Sequence, residues 1–184
     1  MKSYPDDRRY VRNNIIASVI VCVALCLLGF MLLPAPTPRL ETVSMRIIYC
    51  LRWQIWPVLT LTAGISTVAH MRFFTSAIDP IEGRGEHLLE VHKRYIQNTM
   101  EQLTLHILSS ILLSSFLSPE SMTIIPIRVF LFVLGRVTFW YGYMKSPVKR
   151  AFGFQMTFGP SVASLLYCAF CFCNSGPAFG LHET

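Results

Sequence analysis

Apolar residues fall along this chain in five long runs. Residues 15–33 carry no charge at all, and residues 53–69 are a second uncharged run, extended backwards by residues 47–51 around Arg52. Residues 99–117 are interrupted only by Glu101 and His106. Residues 122–143 carry Arg128 and Arg136, and residues 151–173 are again free of charge. A helix needs roughly 20 mainly apolar residues to cross a hydrocarbon core of about 30 Å. In lipid every backbone polar group must be satisfied within its own segment, so all five runs read as helices. Pro57 and Pro160 should kink or interrupt theirs unless neighbours cover the freed carbonyls.

Composition agrees with the runs. Of 184 residues 53% are hydrophobic and 14% charged, with mean hydropathy +0.48. A soluble domain carries about 25% charged residues, and a short chain cannot hide this much apolar surface in one core. The expectation is an all-α integral membrane protein.

Charge then orders the spans. One set of loops holds Lys2, Arg8, Arg9, Arg12, Arg72, Arg84, Lys93, Arg94, Lys145, Lys149 and Arg150, whereas the opposite set holds only Arg39, Arg46 and Arg52. Positive loops stay cytoplasmic, which puts the N-terminus inside and the C-terminus lumenal or extracellular. The net charge of +6 is thereby explained by topology rather than by nucleic acid. Trp53, Trp56, Trp140, Tyr141 and Tyr143 stand near span ends, as an interfacial belt requires.

The first run follows a basic segment, as a signal peptide's core would, but it exceeds the usual core of about 7–15 residues and meets a Pro-rich stretch instead of a small-x-small site. It reads as an anchor. Residues 1–40 are expected to be a cytoplasmic N-terminus, anchor helix and stiff linker, residues 41–175 a four-helix core, and residues 176–184 a short non-cytoplasmic tail. The six cysteines lie in or at the edges of spans and read as small packing residues or a lipid-attachment site, with no metal site expected.

The chemistry rests on the polar residues that lipid should exclude. Arg94, Asn98 and Glu101 are spaced i, i+4, i+7 on one helical stripe. Arg136, Trp140 and Tyr143 repeat that spacing on the next span, and a tight turn at residues 118–121 makes the two spans antiparallel neighbours. Two readings stand. Glu101 pairs with Arg136 and holds the helices together, or Arg94, Arg136, Lys149 and Arg150 hold the carboxylates of a zwitterionic ligand while Glu101 and Asn98 receive its amine. His106 reads as a hydrogen-bonded packing residue.

The pattern Arg94-x-x-x-Asn98-x-x-Glu101 resembles a signature of the MAPEG proteins, the membrane-associated proteins in eicosanoid and glutathione metabolism. Gly135, Arg136 and Tyr143, followed by Pro147, Lys149 and Arg150, are similar to that family's next helix and basic loop. Within the family the likeness is to the mattrin branch, carried by residues 49–52, 91–95 and 153–158. The resemblance implies a MAPEG-like four-helix bundle, here preceded by one extra transmembrane helix, that forms a homotrimer with glutathione as its cofactor between subunits. It implies that Arg94, Asn98, Glu101, Arg136, Tyr143 and Arg72 bind that cofactor, and that Arg150 or Lys149 favours the reactive thiolate. The departures are Ile96 and Gln97 before the Asn, Phe139 where some relatives have His, and a shorter loop after Tyr143. They weaken the catalytic expectation, and the likeness to the mattrin branch implies a non-catalytic or weakly catalytic membrane protein of the endomembrane system (ER, Golgi or endolysosome), with membrane lipids and a partner membrane protein as its company. The alternative is a glutathione transferase or peroxidase acting on lipophilic electrophiles.

Overall fold

The structure is a computed structural model that describes residues 4–36, 39–79, 81 and 83–178. Among these residues it is entirely helical. α1 spans Tyr4–Leu32, α2 Val43–Trp53, α3 Ile55–Phe74, α4 Glu86–Phe116, α5 Ile124–Lys145 and α6 Ala151–Ser175. Three stretches, Asp6–Leu32, Pro119–Lys145 and Pro147–Ser175, are long and apolar enough to cross a membrane. At about 1.5 Å per residue, the 20 residues of α3 and 31 of α4 also match or exceed the hydrocarbon thickness, α4 being the more polar of the two.

The second expected span is divided. Gln54 separates α2 from α3, with its amide donating to the Leu51 carbonyl in a tighter three-residue turn (3.1 Å). Pro57 is the cause: its ring opposes the carbonyl of Trp53 and it has no N–H to give, so it is accommodated only in a helix's first turn. Pro160, by contrast, lies inside α6 without ending it.

The core forms around α5 and α6, which pack on each other and on α4; α3 covers α4 and α5, and α2 joins at the end distant from residues 147–150. Close approach of α5 and α6 depends on glycine. A Cβ on Gly153 would fall on the Phe139 amide nitrogen and the Gly135 carbonyl, and one on Gly135 would come 2.7 Å from a Thr157 methyl. Small residues are how lipid-embedded helices bring their backbones together. The turn that joins α4 to α5 starts with Ser121 N–H donating to the Ser118 carbonyl (3.0 Å), as the spacing anticipated. Arg39 of the linker pairs with Glu120 of that turn.

α1 is docked, not tethered. It packs on α6, α5 and the residue 147–150 turn. Gly29 lets it touch α5 so closely that a Cβ would lie 2.7 Å from Ile127 Cδ1. From Ile15 onward its remaining faces are largely apolar and open, with Ile20 63% and Met31 80% exposed, as suits a helix surrounded by lipid.

Candidate functional site

α4 has two polar faces. Inward, toward α5 and α6, it buries Thr99, Gln102, His106, Ser109 and Ser110; outward it exposes Arg94, Gln97 and Glu101. Asn98 sits half-buried on the border between them.

Arg136 of α5 occupies the inward side and is fully buried. Its Nη1 donates to Asn98 Oδ1 at 2.9 Å, and its Nη2 to Thr157 Oγ1 of α6 at 2.6 Å. The guanidinium faces the ring of Phe139 at 4.6 Å and that of Phe132 at 5.7 Å, where a desolvated cation gains from the ring quadrupole. The Thr157 hydroxyl has one proton to give, and the Phe154 carbonyl at 2.9 Å is better placed for it than Gln102 Oε1 at 3.4 Å. One buried cation thus ties three helices together.

Glu101 is not its counterion. It is exposed and accepts a hydrogen bond from Gln97 Nε2 at 2.9 Å, which removes the mutual Glu101–Arg136 pair as a reading of the stripe. Arg94 also faces outward, with Nε and Nη2 donating to Glu90 at 3.0 and 2.7 Å. That carboxylate, foremost, raises the pKa of the guanidinium. Arg72 lies elsewhere: its Nη1 donates to the Ala77 carbonyl (3.0 Å) and its Nη2 pairs with Glu86 (2.7 Å). Lys93 binds the same carboxylate at 2.7 Å, and Lys93 and Arg72 together hold the Glu86 carboxyl below its usual range.

Tyr143 was expected both in the cleft and near the aromatic belt. It is buried (6% exposed), with its ring against Phe139 and under the Arg150 guanidinium at 4.9 Å. Trp140 is half-buried, donating from Nε1 to His92 Nδ1 (3.1 Å) and stacking on Tyr95. Of the five aromatics expected in the belt, Trp56 and Tyr141 are the exposed ones (55% and 62%).

Arg150 and Lys149 stand exposed on the turn between α5 and α6. Beside them opens a cleft of about 590 Å³, lined by Asn98, Phe139, Arg150, Phe154 and Gln155, with Val11 and Ile15 of α1 forming its outer wall. The structure therefore brings Asn98, Arg136, Tyr143 and Arg150 into one neighbourhood, which Arg94 touches from the outer face at Tyr143, and leaves Glu101 and Arg72 outside it. The cleft is amphiphilic, basic and amide-lined at the turn and aromatic along the helices. Spacing did not single out Thr157 and Gln102. Their signal was there: hydroxyl and amide groups inside otherwise apolar spans need a polar partner. Among the described residues no group of three His, Cys, Asp or Glu is placed to hold a metal ion, and all six cysteines are free.

These features define a class: a multi-pass α-helical membrane protein in which a buried polar seam joins the helices of a bundle and an added N-terminal helix packs against its side. The chain belongs to the MAPEG family, whose model matches residues 54–170. It is 25% identical over 154 residues to transmembrane protein 79 of Mus musculus, and 28% identical over 144 residues to transmembrane protein 79 of Bos taurus. Those matches take in 84% and 77% of this chain but 39% and 36% of the relatives, so the chain spans little more than a third of the curated relatives it matches. No solved structure matches it.

Proposed function

We propose that this chain is a non-catalytic or weakly catalytic MAPEG-family membrane protein whose cleft beside Arg150 binds an amphiphile, glutathione or a lipid headgroup with its chain. The observation that carries this reading is the state of Arg136. Its two Nη groups are occupied by Asn98 and Thr157, and the side chain has no exposed surface. A cation that binds and releases substrate must trade water for ligand, whereas this one is committed to holding helices together. Arg94 and Glu101, engaged with Glu90 and Gln97 on the outer face, support the same view.

The assembly we favour is the homotrimer of the family, in which a neighbouring subunit would complete the cleft. The placement we favour is the endomembrane system, with membrane lipids and a partner membrane protein as its company. The N-terminus is then cytoplasmic, since eleven of the sixteen Lys and Arg residues fall in loops on that side.

A specific observation supports the alternative enzyme. Arg150 is an exposed cation at the mouth of the cleft, where it, with Lys149 beside it, could lower the pKa of a bound thiol from about 8.5 and so raise its reactivity. One experiment separates the two. The purified chain is titrated with millimolar glutathione by calorimetry, then mixed with glutathione and a chlorinated dinitrobenzene. The expected result is binding without conjugation above the uncatalysed rate, or no glutathione binding while a lipid is retained. Conjugation that Arg150→Gln abolishes would establish the transferase instead.

A further inference from the structure

Roughly two turns from Arg136 along α5, about 12 Å away, stands a second buried arginine. Arg128 is 3% exposed. Its Nη2 donates to Ser109 Oγ at 2.8 Å, but Nε and Nη1 reach no acceptor among the described residues. Its neighbours do not remedy this. The Ser110 hydroxyl (1% exposed) and His106 Nε2 (residue 2% exposed) are also buried without partners. His106, Cys50, Cys168 and Cys26 are the titratable groups in its electrostatic surroundings. The ion pairs Arg39–Glu120, Arg72–Glu86, Lys93–Glu86 and Arg94–Glu90 do not include it. Glu101, the carboxylate nearest to Ser109 along α4, is exposed and about 12 Å distant along the axis.

A guanidinium keeps its proton in proteins. An ion buried in a lipid-embedded bundle is retained when something neutralises it and satisfies its remaining donors. The unsatisfied groups here are two guanidinium nitrogens with three N–H between them, a hydroxyl and an imidazole nitrogen, every one able to donate, against one buried open acceptor, the amide oxygen of Gln54 beside Cys50. Buried donors that outnumber the acceptors left to them are complementary to an anion. A cavity of about 350 Å³ beside the residue 118–121 turn, lined by Leu113, Ser121, Ile124 and Ser164, lies one helical turn from these groups. Ile124 stands one turn from Arg128, and Leu113 one turn from Ser109.

We propose that Arg128, Ser109, Ser110 and His106 form an internal site for a compact monovalent anion, either a halide or the carboxylate of a fatty acid. The site lies apart from Arg136 and from the cleft beside Arg150, and it does not depend on what that cleft binds.

The test uses the full chain in nanodiscs of zwitterionic phosphatidylcholine. It is melted in chloride, bromide and the bulkier gluconate at equal ionic strength, then in gluconate with added palmitate. The expected result for a halide site is a midpoint about 3 °C higher in chloride and bromide, with broadening of the chlorine-35 resonance by the protein. For a carboxylate site only palmitate raises the midpoint. Arg128→Met is expected to remove the anion dependence and Arg128→Lys to keep part of it. Should Arg128→Met fail to fold, Ser109→Ala is expected to weaken the anion response several-fold. Equal midpoints in all four conditions with an unbroadened resonance would overturn the proposal, leaving water as the partner of those donors. Full anion dependence retained in Arg128→Met or in Ser109→Ala would overturn it as well.

Discussion

The inner and outer faces of α4 carry similar residue types and treat them differently. On the outer face, Arg94 pairs with Glu90, and Gln97 donates to Glu101, each within one helix and each in the open. On the inner face, Asn98 and Gln102 meet groups from α5 and α6 around a cation with no exposed surface. Exposed pairs one helical turn apart stabilise by a few tenths of a kcal/mol. A buried hydrogen bond to a charged group contributes about 1.5–3 kcal/mol. The bundle is therefore held from the inside, and the outer stripe is free to vary or to meet another molecule.

Four experiments press on that contrast. The most damaging change is expected at the glycine contact that lets the seam form. Gly153→Val puts a branched side chain against the backbone of Phe139 and Gly135, and should cost about 3 kcal/mol or more, read as a fall in the midpoint of unfolding in detergent. Next is Thr157→Val, which keeps the shape and removes the acceptor for Arg136 Nη2. It should cost about 2 kcal/mol; a loss below about 0.5 kcal/mol would mean that water replaces the hydroxyl and the seam is not dry.

A smaller, local effect is expected where α4 begins. The Glu86 carboxyl titrates below its usual value because Lys93 and Arg72 bind its ionised form. Its contribution is complete above the unfolded value near 4.5 and is lost as pH falls further, through the folded value. Faster amide exchange over residues 84–90 below that pH, with the α5–α6 amides still protected, would show it. Smallest is Glu101→Gln. On the outer face it should change stability by less than about 0.5 kcal/mol. If Glu101 holds an amine of glutathione, as its likeness to the family signature implies, the same substitution would weaken glutathione binding while leaving the melting curve in place.

Much of this architecture was legible in the residues. Uncharged runs mark α1 and α6, and a run broken only by Arg128 and Arg136 marks α5, because the backbone has few ways to cross lipid. The turn at Pro119 and the linker that ends near Arg39 follow from proline and charge. The break at Gln54 was harder to see, since Pro57 leads to a kink, a break or an N-terminal turn depending on what packs around it. The site was legible in membership more than in pairing. Periodicity put Arg94, Asn98 and Glu101 on one stripe, and they do share one. Periodicity did not show that the stripe lies on the border of the buried face, so that Asn98 alone reaches Arg136. The partner that mattered, Thr157, sits on α6, and no spacing within α4 or α5 could point across to it.

The contact between Gly29 and Ile127 also has a place in time. α1 is made before the surface it docks on: Ile127 is added about a hundred residues after Gly29, so at about 5–20 residues per second α1 waits roughly 5–20 s for it. During that wait Gly29, Ser18 and the rest of its docking side face lipid or whatever else is nearby. Among the described helices α1 is then the one most open to escort by insertion machinery, and completion of α5 and α6 is the event that releases it.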